Sequence, residues 1–190
     1  YGYGINARVY TLNTWEGPIG GSNFDMSYRY LNAGYYSGGT TGGNGWSNSP
    51  FGAGYVLKHH ADLCKQYNYE PVFIYYQIGN EALGEGGTSP TDPAGMGLYY
   101  QDWTYTMYLI DQWMTANATA GYTPVVTVDV EPDFSGSVEQ NNLYAGFGPT
   151  NFGMNVANCT VPSPALAAPG CPAWVSLTGY GNNFAGYCAA

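Results

Sequence analysis

Charge is what this chain has least of. Lysine, arginine, aspartate and glutamate make up 9% of its 190 residues, against about 25% in a typical soluble domain. Arg8, Arg29, Lys58 and Lys65 are its only Lys or Arg residues, and the formal net charge is -9. No basic stripe is available to track phosphates, which excludes nucleic acid and anionic membranes as partners. Long apolar runs are also missing: none reaches the ~18 residues a spanning helix needs. The chain opens on Tyr1 without the basic-then-apolar pattern of an export leader, so a mature or excised secreted product is expected. No CxxC or His-Cys spacing suggests zinc, and no resident metal is expected.

In place of charge the sequence offers rings and small polar groups. Aromatics reach 17%, with 20 Tyr and 28 Gly, so the surface must be built from Tyr, Asn, Ser, Thr and Gly. The four cysteines are an even number at wide spacings, which allows three pairings. Cys159 and Cys171 flank a Pro/Ala-rich loop with little regular structure to hold it, and a bridge closing that loop is the favoured pairing. Cys64 with Cys188 then remains, and bridges of this kind agree with an oxidising, extracellular setting. Two sequons, at Asn117 and Asn158, are expected glycosylation acceptors.

Periodicity places the elements. A short strand is expected over 7–12, and one parity of "FDMSYRY" (24–30) is apolar, the signature of a second strand. Ser49 and Pro50 are expected to open a helix that runs to about 67. "PVFIYYQI" (71–78) reads as a parallel strand covered on both faces. A long Gly/Pro-broken loop follows. The segment 98–118 has no Pro or Gly, and its Trp103, Met107, Ile110 and Met114 recur at helical spacing. "TPVVTVDV" (123–130) is the next strand, and "GNNFAGYCAA" reads as the start of a last helix. Alternating strands and helices predict an α/β fold of parallel βαβ units, of a (β/α) barrel type. Three such units do not close a barrel, so residues 1–190 are expected to be a single domain that forms the N-terminal part of a longer one.

The stretch "VVTVDVEPDF" (125–134) sets Asp129, Glu131 and Asp133 at alternate positions. If 124–131 is a strand, Thr127, Asp129 and Glu131 share one side and Val126, Val128 and Val130 the other. The valines are then expected to face the helices and the acids the crevice at the strand's carboxyl end, where active sites of parallel α/β folds lie. Clustered carboxylates there repel until one takes up a proton, a state suited to general acid and base chemistry. Their oxygens also form a set that Ca²⁺, a hard cation, accepts; no other cofactor is expected.

"VVTVDVEPDFSG" resembles the signature of family six glycoside hydrolases, the cellobiohydrolases and endoglucanases, in which an apolar strand ends in Glu-Pro-Asp. The resemblance implies that Asp133 protonates the glycosidic oxygen and that Glu131 supports it. In that family the preceding strand ends in a Tyr-Asp-x-Pro-x-Arg-Asp-Cys motif. "YYQIGNEA" keeps Tyr75 in register, lacks the Pro, Arg, Asp and Cys, and sets Glu81 at the place of the modulating Asp. The similarity spans about residues 71–136 and departs at Phe134 and Ser135.

Sugar faces stack on aromatic rings and sugar hydroxyls pair with amides and carboxylates. Trp46 in its Gly-rich loop and Tyr75, Gln77 and Glu81 after the second long strand are therefore the expected substrate-binding residues. His59 and His60, about 100° apart on a helix, cannot share one metal, and packing or solvated roles are expected for them. The leading expectation is a secreted glycoside hydrolase acting on a β-linked polysaccharide, with catalytic Asp133, Glu131 and Asp129. The alternative is a non-catalytic extracellular protein that binds carbohydrate or assembles into adhesive fibres through its Tyr-rich surface.

Overall fold

Four strands pair in parallel in the computed structural model, which describes residues 4–6, 25–32, 54–78, 91–121, 123, 125–132, 134, 153, 154, 156–159, 161 and 177–190. β1 (Gly4–Asn6), β2 (Met26–Asn32), β3 (Glu70–Tyr76) and β4 (Thr127–Val130) lie side by side in sequence order. Met26 stands beside Glu70 and Val72 beside Thr127. Helix α1 (Tyr55–Tyr67) falls between β2 and β3, α2 (Pro93–Thr119) between β3 and β4, and α3 (Phe184–Ala189) near the end. The chain divides into two compact units, Tyr1–Tyr76 with Thr106–Val130, and Gln77–Tyr105 with Glu131–Ala190.

The α/β class and the parallel pairing are those the alternation implied, but the barrel is not. Among the described residues β4 pairs with β3 and with no other strand, so the sheet is open. A barrel requires its last strand to meet its first. Thr127, Asp129 and Val130 are instead exposed, as at a sheet edge. β4 is also shorter than expected, and Val125, foreseen within it, lies outside the strand at 66% exposure.

One face of the first unit's sheet is its core. Ser27, Leu31, Phe73 and Tyr75 are fully buried, as are Ala61 and Cys64 of α1. His60 packs edge-on to Phe73 at 5.7 Å and donates from Nε2 to the Ser27 carbonyl at 3.1 Å. Burial lowers its pKa to about 4, because a charged imidazole would lose its hydration there. The opposite face is rich in tyrosine: Tyr28 meets Tyr30 edge-on at 6.2 Å, and Tyr30 meets Tyr76 at 6.4 Å.

Local chemistry sets the helix limits. Gly54, in the left-handed region at φ 71°, precedes α1, and a Cβ there would lie 2.6 Å from Leu109 Cδ1. Asn68, left-handed at φ 60°, ends the helix and Tyr69 N–H returns to the Cys64 carbonyl at 2.8 Å, the usual closure at a helix C-terminus. Helix α2 starts five residues before the position expected from its Gly-free run. Asp92 accepts from Ala94 N–H and Gly95 N–H through its two carboxylate oxygens, at 3.0 and 3.1 Å, and Pro93 follows it. An Asp cap followed by Pro is a start signal strong enough to carry Gly95 and Gly97 into the helix.

The buried stripe of α2 also differs from the expected one. Met107 is 40% exposed, whereas Tyr99, Asp102, Thr106, Ile110, Trp113 and Asn117 are buried. Polar residues hold half of that stripe, so a count of apolar positions selects the wrong face. In the first unit Trp113 Nε1 donates to Asp62 at 2.8 Å, Lys65 Nζ donates to Asn117 Oδ1 at 2.7 Å, and Asn117 Nδ2 donates to the Trp113 carbonyl at 2.7 Å. Both ends of the Asn117 amide, one of the two expected glycan acceptors, are thus engaged in hydrogen bonds. Asn158 is exposed.

Two outcomes follow for stability. Gly54→Ala costs roughly 2 kcal/mol, part backbone strain and part collision with Leu109. In a Leu109→Ala background the increment falls to roughly 1 kcal/mol, so urea unfolding of the four variants yields a non-zero coupling. Additive costs would remove the contact. For His60 the unfolded chain binds a proton near the ordinary imidazole value of 6.5 and the folded chain only near 4. Its contribution is complete above 6.5 and is lost as pH falls toward 4. His60→Gln flattens that acid limb of a urea-midpoint curve.

Candidate functional site

Glu131 is the first residue after β4, and it leaves the strand in the left-handed region at φ 49°. It also precedes Pro132, a position biased toward extended backbone. A non-glycine residue in that region costs on the order of 1–3 kcal/mol and persists only where its surroundings fix it. Here they do: the side chain is 1% exposed. Oε1 accepts from Gln77 N–H at 2.8 Å and Oε2 from Ile78 N–H at 3.1 Å. The carboxylate also accepts from the Tyr99 hydroxyl. A turn bond from Phe134 N–H to the Glu131 carbonyl, 3.1 Å, closes the backbone beneath it.

Rings surround this acid in the second unit. Tyr99 and Tyr187 share a hydroxyl–hydroxyl hydrogen bond of 2.8 Å. Their rings lie 6.0 Å apart, Tyr100 stands edge-on to Tyr99 at 5.4 Å, and Phe134 stands edge-on to Tyr187 at 6.1 Å. Gln77 and Ile78 are buried at 6% and 2% exposure. Burial pushes the Glu131 pKa up to about 8, outweighing the Gln77, Ile78 and Tyr99 hydrogen bonds that favour the ionised form. Burial likewise raises the Tyr100 and Tyr187 phenols above their usual range.

The hydrogen bonds from Gln77, Ile78 and Tyr99 offset only part of that burial. All Lys, Arg and His residues of the chain fall in the first unit, while the second has seven acidic side chains and no basic one. A buried carboxyl without a cation is most stable with its proton on. Burial thus favours the protonated form of Glu131.

The strand-end acids part company at this point. Asp129 is exposed on β4, in register with Ile74. Glu131 is buried, because the left-handed turn ends the alternation that would have sent both to one side. Asp133 lies outside the described residues, as do Glu81 and Trp46. Tyr75 is fully buried on the core face of the sheet in the first unit, which makes it a packing residue there. Gln77 is at the site through its backbone N–H. Sequence reasoning missed Tyr99 and Tyr187. Tyr99 lies two turns beyond the Asp92 cap, which supplied a signal for the helix; nothing local to "GYCAA" marks Tyr187.

The rest of the second unit is tied by amides and close backbone contact. Asn182 Oδ1 accepts from the backbone N–H groups of Val156, Ala157 and Asn158, at 3.0, 2.8 and 3.3 Å. Asn183 caps α3 through Gly186 N–H at 2.8 Å. Gly186 is obligatory, since a Cβ there would fall 2.0 Å from the Gly181 carbonyl oxygen. No disulfide involves Cys64, Cys159 or Cys188. The Cys64 sulfur lies in the core, 3.5 Å from His60 Nε2, and Cys159 Sγ donates to the Val156 carbonyl at 3.0 Å. The expected Cys64–Cys188 bridge is not formed, and the Cys159–Cys171 bridge involves a residue outside those described. Among the described residues no group of three His, Cys, Asp or Glu side chains is placed to hold a metal ion, and no helix is long and apolar enough to cross a membrane.

Comparisons of the chain with protein-family models, with curated proteins and with solved structures return no match.

The state of Glu131 sets a pH dependence. The unfolded chain releases this proton near the ordinary carboxyl value of 4.5 and the folded chain only near 8. Its stabilising contribution is complete below 4.5 and is lost as pH rises toward 8, at about 1.4 kcal/mol per pH unit within that window. Glu131→Gln removes this slope while keeping an acceptor for one of the N–H groups. Urea midpoints from pH 5 to 9 test it, and a slope as steep in the variant as in wild type would assign the dependence to another group.

Proposed function

We propose that this chain is an exported, carboxylate-dependent glycoside hydrolase whose substrate is an uncharged β-linked polysaccharide. The observation that carries the reading is the buried carboxyl of Glu131, which follows a parallel strand directly and stands two residues before Asp133 in the sequence. Carboxyl ends of parallel strands are where open α/β sheets hold their sites. The resemblance of "VVTVDVEPDFSG" to family six glycoside hydrolases assigns Asp133 as general acid. At 1% exposure Glu131 does not reach substrate itself and acts as a positioning residue, anchoring the turn from which Asp133 follows. Asp129 is exposed on β4 of the first unit.

Charge selects among polymers. Six acidic side chains besides Glu131, and no basic one, in the second unit disfavour uronate-bearing chains and tolerate neutral ones. A second reading, a carbohydrate-binding protein without catalysis, draws support from Tyr28, Tyr30 and Tyr76 on one face of the first unit's sheet, with Tyr30 at 38% exposure.

Reducing-end release from cellulose and soluble β-glucans separates the two. Asp133→Asn is expected to lose about 10²–10⁴-fold of the rate, and Glu131→Gln to lose less and to alter the pH profile. Polygalacturonate is expected to be neither bound nor cut. Binding without release, equal in wild type and Asp133→Asn, favours the second reading; neither binding nor release sinks both.

A further inference from the structure

The Glu131 carboxyl is sealed from solvent but ends one continuous chain of hydrogen bonds. Its links are the Tyr99 hydroxyl from α2 and the Tyr187 hydroxyl from α3, 2.8 Å beyond Tyr99. Tyr187 is half-buried whereas Tyr99 is 3% exposed, so the chain leads outward. Each phenol carries one proton and can both donate and accept. When Glu131 is ionised, Tyr99 donates to it, and Tyr99 must then accept from Tyr187. When Glu131 is neutral, its own O–H can donate to Tyr99, which donates to Tyr187, and every bond of the chain runs in the opposite direction.

We infer that Tyr99 and Tyr187 are positioning residues of this site, a two-phenol relay that moves the Glu131 proton between the buried carboxyl and the half-buried end of the chain at α3. The inference rests on the glycosidase reading only for the use made of that proton. In the transfer the Glu131 O–H bond breaks as a proton joins the Tyr99 oxygen, the Tyr99 proton passes to the Tyr187 oxygen, and the Tyr187 proton leaves to water. Each phenol ends neutral, the carboxylate keeps the electron pair, and nothing is oxidised or reduced.

The groups that face Glu131 agree with this path. Among the described residues, the N–H groups of Gln77 and Ile78 come from the segment after β3, the phenol of Tyr99 from α2 and that of Tyr187 from α3. Tyr100 and Cys188 act on Tyr187 rather than on the carboxyl, and each would repel charge there if ionised.

The test is an infrared titration of the Glu131 carboxylic C=O band on the full chain, identified by its loss in Glu131→Gln. It is run in wild type, Tyr99→Phe and Tyr187→Phe, with far-UV dichroism verifying the fold. Wild type titrates near pH 8. Tyr99→Phe removes a donor to the ionised form, so its midpoint rises by roughly one pH unit or more. Tyr187→Phe, which only weakens that donor, raises it by a smaller amount. An unchanged midpoint in Tyr99→Phe overturns the inference, and so does a shift in Tyr99→Phe with none in Tyr187→Phe. Should Tyr99→Phe fail to fold, Tyr187→Phe decides alone. Absence of hydrolysis with both shifts intact sinks the glycosidase reading and leaves the relay standing; hydrolysis with one pH profile in all three proteins sinks the relay.

Discussion

The backbone N–H groups of Gln77 and Ile78 leave β3 in a buried segment, and without an acceptor each would cost the full desolvation of an amide. Glu131 accepts both through its two carboxylate oxygens. Reaching them takes a left-handed residue before a proline, a conformation the chain would not choose locally. The strain is offset because one side chain satisfies two buried donors and a phenol. The price is a carboxyl confined where ionisation is unfavourable, and from that follow its proton, its pH dependence and its coupling to Tyr99 and Tyr187.

Scarcity of charge shapes the remainder. With every basic side chain in the first unit, the second satisfies buried polar groups with amides, phenols and carboxylic acids. Asn182 gathers three N–H groups on one oxygen, and Asn183 caps α3. Where cations exist they serve similar ends: Lys65 bonds a buried asparagine, and the buried His60 donates to a backbone carbonyl as a neutral ring. Neutral hydrogen bonds avoid most of the desolvation cost of buried ions, and this composition leaves few other choices.

Legibility along the chain followed the reach of the forces involved. The β3 run and the length of α2 were readable because apolar continuity and freedom from helix breakers are local properties. The start of α2 was readable in principle from Asp92 and Pro93, and was masked by Gly95 and Gly97. Its buried face was not, since Asp102, Thr106 and Asn117 occupy interior positions by virtue of partners distant in sequence. Sheet closure was unreadable for a similar reason: alternation of strands and helices predicts parallel pairing, but not whether the last strand meets the first.

The sequence by itself determined the parallel α/β class, the low-charge tyrosine-rich character of the surface, and a cluster of acids where a β-branched run gives way to Glu-Pro-Asp. Period two joins Asp129 and Glu131 only while the backbone stays extended, and local preference said that it would. Tertiary structure decided otherwise. It turned Glu131 into the left-handed region, left Asp129 in solvent, and brought Tyr99 and Tyr187, 88 residues apart, to one buried carboxyl. Those contacts depend on packing between segments far apart in the chain, and no local pattern encodes them.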